Sequence, residues 1–116
     1  GIMEEIVTIT DWKNTLLESY IVLLITKKTC QDCIEVERYL ELNNNLINSI
    51  PVRKISLDNS NSKQLIEHIE WIKKEVDIIP FWTMMNLGQR LSTVRGDINE
   101  VKKITTSSQV NQSQED

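Results

Sequence analysis

The sequence predicts an α/β domain with one mixed central sheet, parallel strands first and an antiparallel hairpin last, and helices on both faces. Short apolar, β-branched runs alternate with stretches whose apolar residues recur every three or four positions. Such alternation favours parallel strands joined by right-handed crossovers. Near the C-terminus, two strand-like runs are separated only by Asn86-Leu87-Gly88, which favours a hairpin turn. The predicted order is therefore β-α-β-α-β-α-β-β-α.

The first part of the chain predicts a strand, a helix and a second strand. Residues 5–9 alternate apolar with polar side chains and are largely β-branched, which is typical of a strand. Asp11 then stands where a helix N-cap belongs, and Trp12 and Leu16 follow at helical spacing in a helix expected to reach residue 19. Residues 20–26 form a nearly continuous apolar run, as expected of a central strand buried on both faces.

The second helix is predicted to open at the two cysteines, Cys30 and Cys33. Val36 and Leu40 continue from Cys33 at helical spacing and predict the buried stripe. The charged residues of this helix are expected to face away from the core; they are Glu35, Glu37, Arg38 and Glu41. Residues 51–57 begin with a proline, which cannot continue the helix, and predict the third strand.

A third helix, the hairpin and a last helix complete the prediction. One continuous helix capped by Ser60 or Ser62 is indicated by an apolar stripe at four-three-four spacing, formed by Leu65, Ile69, Ile72 and Val76. Residues 81–85 and 90–94 predict the two hairpin strands. Gly96 then ends the second of these, and a short helix capped by Asp97 and carrying Ile98, Val101 and Ile104 follows.

Domain limits follow from this assignment. Residues 1–4 are interpreted as an N-terminal lead, and residues 5–104 as a single domain. Residues 105–116 are polar and acidic with little apolar content, and we expect a disordered tail there.

Composition narrows the possible partners and the compartment. The 13 basic residues are scattered against 17 acidic ones, which disfavours a nucleic-acid-binding face. No apolar run approaches the roughly 20 residues that span a membrane. Because no signal peptide is visible, we expect a cytoplasmic protein, or an extracytoplasmic one if a leader preceded Met3 and was removed. We also expect a monomer.

Cys30 and Cys33 are the two cysteines of the chain, and their spacing points to chemistry. A bond between them closes a very small loop, so it stabilises the fold little. At the helix N-terminus Cys30 is favoured as a thiolate, which is the attacking species in disulfide exchange. Cys33 lies one turn later on the same face and is placed to resolve a mixed disulfide. Two alternatives are half of a zinc site, for which His68 is the single histidine, and a pair of small buried apolar residues.

Four features occur together in this order: Cys30 and Cys33 after the second strand, Ile79-Pro80 before the fourth, the hairpin turn, and Gly96 before the last helix. Taken with the element order, they resemble the thioredoxin family over residues 5–104. The resemblance implies a thioredoxin fold with Pro80 cis and lying against the cysteines. It also implies that Ile79 offers backbone hydrogen bonds to an extended substrate, and that Lys54 lies near the buried cysteine.

The chain also departs from the family pattern. Thr29 stands where typical thioredoxins have Trp, and Gln31-Asp32 replaces Gly-Pro between the cysteines. Leu24 matches the position of a buried acid that assists proton transfer in the family. The charge of Asp32 beside the thiols is expected to raise their pKa, and so to favour a reducing couple.

The resulting function hypothesis is a thiol–disulfide oxidoreductase without a bound cofactor. Its expected partners are protein disulfides and an upstream thiol reductant. One alternative is a binding or accessory module that uses the groove at Pro80. Another is a thiol sensor or assembly factor whose disulfide is regulatory. Exposure and reactivity of Cys30 distinguish these functions.

Overall fold

A computed structural model describes residues 3–42 and 50–95, with residues 92–95 as backbone. Within these ranges the chain forms five strands and four α-helices. They are β1 (Glu4–Glu5), α1 (Ile9–Thr15), β2 (Ile21–Thr26), α2 (Gln31–Leu42), β3 (Val52–Ser56), α3 (Lys63–His68), α4 (Glu70–Glu75), β4 (Phe81–Asn86) and β5 (Gln89–Arg95). A 3₁₀ turn at Ser60–Ser62 leads into α3.

The strands form one sheet in the order β1-β3-β2-β4-β5. Strands β1 and β2 both pair in parallel with β3, whereas β4 runs antiparallel to β2 and to β5. This arrangement confirms the predicted mixed sheet with a final hairpin. It also places the start of α2 at the edge where β2 ends.

Strand β2 is the centre of the fold. All six of its residues are buried, which confirms the interpretation of the apolar run. Successive side chains alternate across the sheet, so Leu23 and Ile25 join one apolar cluster and Val22 and Leu24 the other.

The two clusters define two faces of the sheet. The α1 face is covered by α1, α3 and α4, and its buried residues are Ile6, Trp12, Ile21, Leu23, Ile25, Ile55, Leu65, Ile69, Ile72, Phe81 and Met85. The α2 face is covered by α2, and its buried residues are Met3, Val22, Leu24, Val36, Leu40 and Trp82. Helices therefore lie on both faces, as predicted.

The start of the first helix differs from the prediction. Thr8, not Asp11, is the N-cap of α1, and its hydroxyl accepts the Asp11 amide at 3.0 Å. The Asp11 carboxylate in turn accepts the Thr8 amide at 3.3 Å, which completes a capping box. Because this box opens the helix at Ile9, the preceding strand is shorter than predicted and starts one residue earlier, at Glu4.

The third helix was predicted as one element, and this is wrong. Ile69 has an extended conformation (φ −95°, ψ 96°) and separates α3 from α4. The apolar stripe still faces the core, since Leu65, Ile69 and Ile72 are all buried. Neither predicted serine caps the segment by its side chain. The side-chain Oδ1 of Asn59 caps the preceding 3₁₀ turn instead, accepting the Asn61 amide at 3.0 Å.

The hairpin is formed as predicted and is slightly longer. Leu87 and Gly88 occupy the turn with φ values of 49° and 83°. Positive φ at both central residues matches the twist of the flanking strands, and glycine adopts it without strain. The predicted helix at Asp97 and the tail at residues 105–116 lie outside the described residues. Among the helices of the described ranges, none has the length and apolar character needed to cross a membrane.

Candidate active site

Cys30 lies at the N-terminus of α2, at the point where the loop from β2 becomes helical. Its carbonyl accepts the Ile34 amide at 3.1 Å, so Cys30 immediately precedes the first helical residue, Gln31. Its side chain is partly exposed. The dipole and unpaired amides of a 12-residue helix favour negative charge at this sulfur.

Cys33 is fully buried and adjacent to Cys30. The two residues form a disulfide whose Cα atoms are 5.2 Å apart, within the range that a disulfide spans. The Cys33 amide also donates a hydrogen bond to the Cys30 sulfur at 3.2 Å. One sulfur can therefore be reached by a partner, whereas the other is reached through its neighbour.

Exposed polar residues surround Cys30. Lys27, Lys28 and Thr29 precede it, and Gln31 and Asp32 follow; all five are exposed. The side chains between and before the cysteines thus face solvent, where an incoming partner would meet them.

Asp58 holds the loop that leads to Cys30, and the sequence analysis missed this role. Its two carboxylate oxygens accept the Lys28 amide at 3.1 and 3.0 Å, and Oδ1 also accepts the Ser56 hydroxyl at 2.9 Å. These hydrogen bonds, the Lys28 amide first, lower the pKa of Asp58 below its usual value. Its position two residues after the end of β3 could have indicated this role, because β3 and β2 are parallel and end at the same edge of the sheet.

Glu37 was expected to face away from the core, and this is wrong. Its Oε1 accepts the Lys54 ammonium at 2.8 Å and its Oε2 accepts the Thr26 hydroxyl at 3.1 Å. The side chains of Lys54 and Glu37 are 26% and 18% exposed. The helical spacing from Cys33 to Glu37 could have indicated that both side chains lie on one face of α2.

Leu24 occupies the position at which the resemblance implied a buried acid. It is fully buried in the apolar cluster of the α2 face. In the register of the parallel pair it lies opposite Lys54. Among the described residues, the acidic group that pairs with Lys54 on this face therefore comes from α2, at Glu37, and not from β2.

The Ile79–Pro80 peptide bond is cis and lies at the same edge of the sheet as the cysteines. Phe81 pairs with Ile25, the penultimate residue of β2, so Pro80 flanks the end from which the chain continues to Cys30. Pro80 is buried, Ile79 is partly buried and Ile78 is 54% exposed. The topology thus brings the predicted substrate-contact positions and the cysteines to one edge.

His68 lies away from this edge. It is exposed at the end of α3, which covers the opposite face of the sheet. Within residues 3–42 and 50–95, no group of three or more His, Cys, Asp or Glu side chains could hold a metal ion.

Comparison with known proteins identifies the fold. No family model matches the chain, and no curated protein matches it in sequence. Oxidised thioredoxin from Plasmodium falciparum superposes with a TM-score of 0.71 at 11% identity, covering 92% of this chain and 98% of that one. Thioredoxin from Trypanosoma brucei brucei gives 0.71 at 17%, covering 95% and 92%. Oxidised thioredoxin O2 from Arabidopsis thaliana gives 0.67 at 17%, covering 90% and 92%. The chain has the thioredoxin fold.

Proposed function

We propose that this protein is a thiol–disulfide oxidoreductase that reduces or exchanges disulfides in protein substrates. The observation that carries the proposal is the unequal placement of two bonded cysteines. Cys30 is partly exposed at a helix N-terminus and accepts an amide hydrogen bond, whereas Cys33 is fully buried beside it. The first arrangement suits an attacking thiolate, and the second suits a sulfur that reacts within the molecule.

The reaction proceeds in two exchanges. In the reduced protein, the Cys30 thiolate attacks one sulfur of a substrate disulfide, forms a mixed disulfide and releases a substrate thiolate. Cys33 then loses its proton, and its thiolate attacks the Cys30 sulfur. The mixed disulfide breaks, the second substrate thiolate leaves, and the Cys30–Cys33 disulfide remains. The substrate gains two electrons, which an upstream thiol reductant restores to the protein.

Substrate binding is assigned to the edge at Ile79 and Pro80. Extended chains bind folded domains by strand-like backbone hydrogen bonds, with side chains giving specificity. The exposed Ile78 and partly exposed Ile79 supply apolar contact next to Cys30's loop. Because this chemistry passes only electrons and protons between sulfurs, the proposal includes no bound cofactor.

The proposed direction is that of a reductant in the cytoplasm. Asp32 is exposed in the first turn of α2, and its charge disfavours the thiolate form beside it. A couple with a less stabilised thiolate is more reducing, and a dithiol is kept reduced in the cytoplasm. Lys27 and Lys28 oppose this effect. Because Asp32→Asn removes the carboxylate and keeps both lysines, this variant should make the couple measurably less reducing.

A redox titration tests the proposal. The protein is equilibrated in glutathione buffers of graded potential, trapped with an alkylating reagent and weighed. We expect one two-electron transition between disulfide and dithiol, between about −270 and −120 mV. Cys33→Ser should accumulate a mixed disulfide with a disulfide peptide, and Cys30→Ser should not. Cysteines that stay unbridged at every potential would refute the oxidoreductase.

A second candidate is a thioredoxin-fold binding module that uses the same edge at Pro80. The apolar Leu24 favours it, because a buried acid is absent from that strand position. This function predicts that the wild type binds a peptide containing a disulfide but releases no thiol from it. Binding without thiol release would support the module, and binding followed by thiol release would support the oxidoreductase.

A further inference from the structure

Glu37 extends its carboxylate from α2 to the sheet. Its two oxygens have different partners, the Lys54 ammonium on β3 at 2.8 Å and the Thr26 hydroxyl at the end of β2 at 3.1 Å. A largely buried ion pair is weak evidence for stability, because desolvation of both charges offsets their attraction. The network therefore calls for an explanation other than stability.

The position of Glu37 relates it to the buried cysteine. It follows Cys33 by four residues, so the two side chains are neighbours on one face of α2, with Cβ atoms about 5–6 Å apart. Thr26, which holds the other end of the carboxylate, lies on the α2 face of β2 next to the loop that leads to Cys30. Glu37 is thus fixed between the end of the central strand and the turn of helix that carries Cys33.

Glu37 also reaches solvent on its outer side. It lines a surface cleft together with Lys28, Ile34, Arg38 and Glu41. Cys33 is fully buried, so its proton needs an intermediate carrier before it can leave the protein. A carboxylate that lies one helical turn from the thiol and opens on a cleft has the placement of such a carrier.

Resting on the proposed function, we propose that Glu37 accepts the Cys33 proton in the resolving step, with Lys54 and Thr26 as its positioning residues. The thiol transfers its proton to the carboxylate directly or through one water molecule, and the resulting thiolate attacks the Cys30 sulfur. The neutral acid then gives the proton to water in the cleft, and reduction of the disulfide reverses the path. Leu24 has no ionisable group and cannot take this role.

The test separates the two exchanges in time. Reduced protein is mixed with one equivalent of an aromatic disulfide whose thiolate product is coloured. The first coloured equivalent reports attack by Cys30, and the second reports resolution by Cys33. We expect Glu37→Gln to slow the second phase at neutral pH by about tenfold or more and to leave the first within about twofold. Raising the pH should restore the second phase, because hydroxide then removes the proton.

The pH profile is interpretable because few groups around Glu37 change charge. The charged groups facing it are Lys54 from β3, Lys28 from the preceding loop, and Arg38 and Glu41 from α2 itself. Ordinary lysine, arginine and glutamate side chains keep their charge between about pH 6 and 9. A change in the second phase over this range therefore reports the Cys33 proton.

Two further variants make the result decisive. Glu35→Gln removes an exposed carboxylate from the same helix and should leave both phases unchanged. Lys54→Met keeps the carboxylate but releases it from its partner, so it should also slow the second phase. It provides the test if Glu37→Gln does not fold. An unchanged second phase in Glu37→Gln would overturn the role of Glu37, and an unchanged second phase in Lys54→Met would overturn the positioning role of Lys54. Absence of the first phase in the wild type would instead refute the oxidoreductase itself.

Discussion

The two faces of the central sheet are built differently, although the same strands supply both. The α1 face is an apolar layer that continues from Ile21 to Ile25 along β2 and is covered by three helices. The α2 face is apolar only at its start, since beyond Leu24 it ends in the hydrogen-bonded group of Thr26, Lys54 and Glu37. The α1 face thus contributes continuous apolar packing along β2, whereas the α2 face ends in a polar group near the cysteines.

The largest expected effect breaks the α1 face. Leu23 is fully buried at the centre of β2, and Leu23→Ala leaves a cavity that the surrounding strands cannot fill. We expect it to lower the free energy of unfolding by about 2–5 kcal/mol. Urea unfolding of the oxidised protein, followed by tryptophan fluorescence, measures this change.

The matched control for this variant is Leu91→Ala. Leu91 is 49% exposed on β5, so its truncation should change the free energy of unfolding by no more than about 0.5 kcal/mol. The redox potential of both variants should equal that of the wild type. A shifted potential in Leu23→Ala would show that the two faces are not separable.

The second effect breaks the polar end of the α2 face. Lys54→Met leaves the Glu37 carboxylate largely buried and hydrogen-bonded to the Thr26 hydroxyl, and should lower the free energy of unfolding by about 1–3 kcal/mol. Combined with Glu37→Gln, the loss should be smaller than the sum of the two, because both variants remove the same interaction. Urea unfolding of the three variants gives the coupling energy.

Arg53→Met is the control for Lys54→Met. Arg53 is the neighbouring residue of β3, and its guanidinium pairs with Glu4 and Glu18 on the other side of the sheet. This variant should also be destabilised but should retain the wild-type rate of the resolving step. Equal slowing in both variants would mean that general loosening of β3, and not the Glu37 network, controls that step.

The sequence predicted the fold correctly where its hydrophobic pattern is compatible with one kind of element only. The apolar run of β2 is too short for a membrane span and too continuous for a half-exposed strand. It therefore predicts a central strand buried on both faces. The stripe of α3 and α4 was ambiguous, because two short helices that share a face show the same spacing as one. No Gly or Pro marks the break at Ile69, so packing against the sheet decides it. Similarly, Thr8 and Asp11 are both capping residues, and the reciprocal hydrogen bonds decided between them.

For the candidate site, the sequence predicted the cysteine pair but not its surroundings. Cys30 and Cys33 could be found because their spacing is local to one helical turn. Glu37 could not be distinguished from the exposed Glu35, because its partners Thr26 and Lys54 come from two strands that are distant in sequence. Hydropathy ranks a charged side chain as exposed, and only the sheet register shows where its partners lie.

A smaller effect is expected at the rim of the α1 face. The Arg90 guanidinium lies 4.3 Å from the centre of the Trp71 ring and pairs with Glu75. Arg90→Gln removes this cation–π contact and should lower the free energy of unfolding by about 0.5–1 kcal/mol. Thermal unfolding measures the change, and Trp71→Phe, which keeps a weaker ring, should lose less. A loss as large as that of Leu23→Ala would show that the rim carries core packing.

The smallest effect concerns the loop that joins the α2 face to Cys30, and it depends on pH. Hydrogen bonds from the Lys28 amide and the Ser56 hydroxyl lower the pKa of Asp58 below its unfolded value near 3.8. A lowered pKa contributes stability that is fully present above the unfolded value and is lost as the pH falls through the folded one. Asp58→Asn should therefore be less stable than the wild type at pH 7, and the difference should vanish near pH 2. Urea midpoints at both pH values measure it. An equal difference at both would assign the loss to altered hydrogen-bond geometry and not to the Asp58 charge, whereas a vanishing difference would show that this charge holds the loop before Cys30.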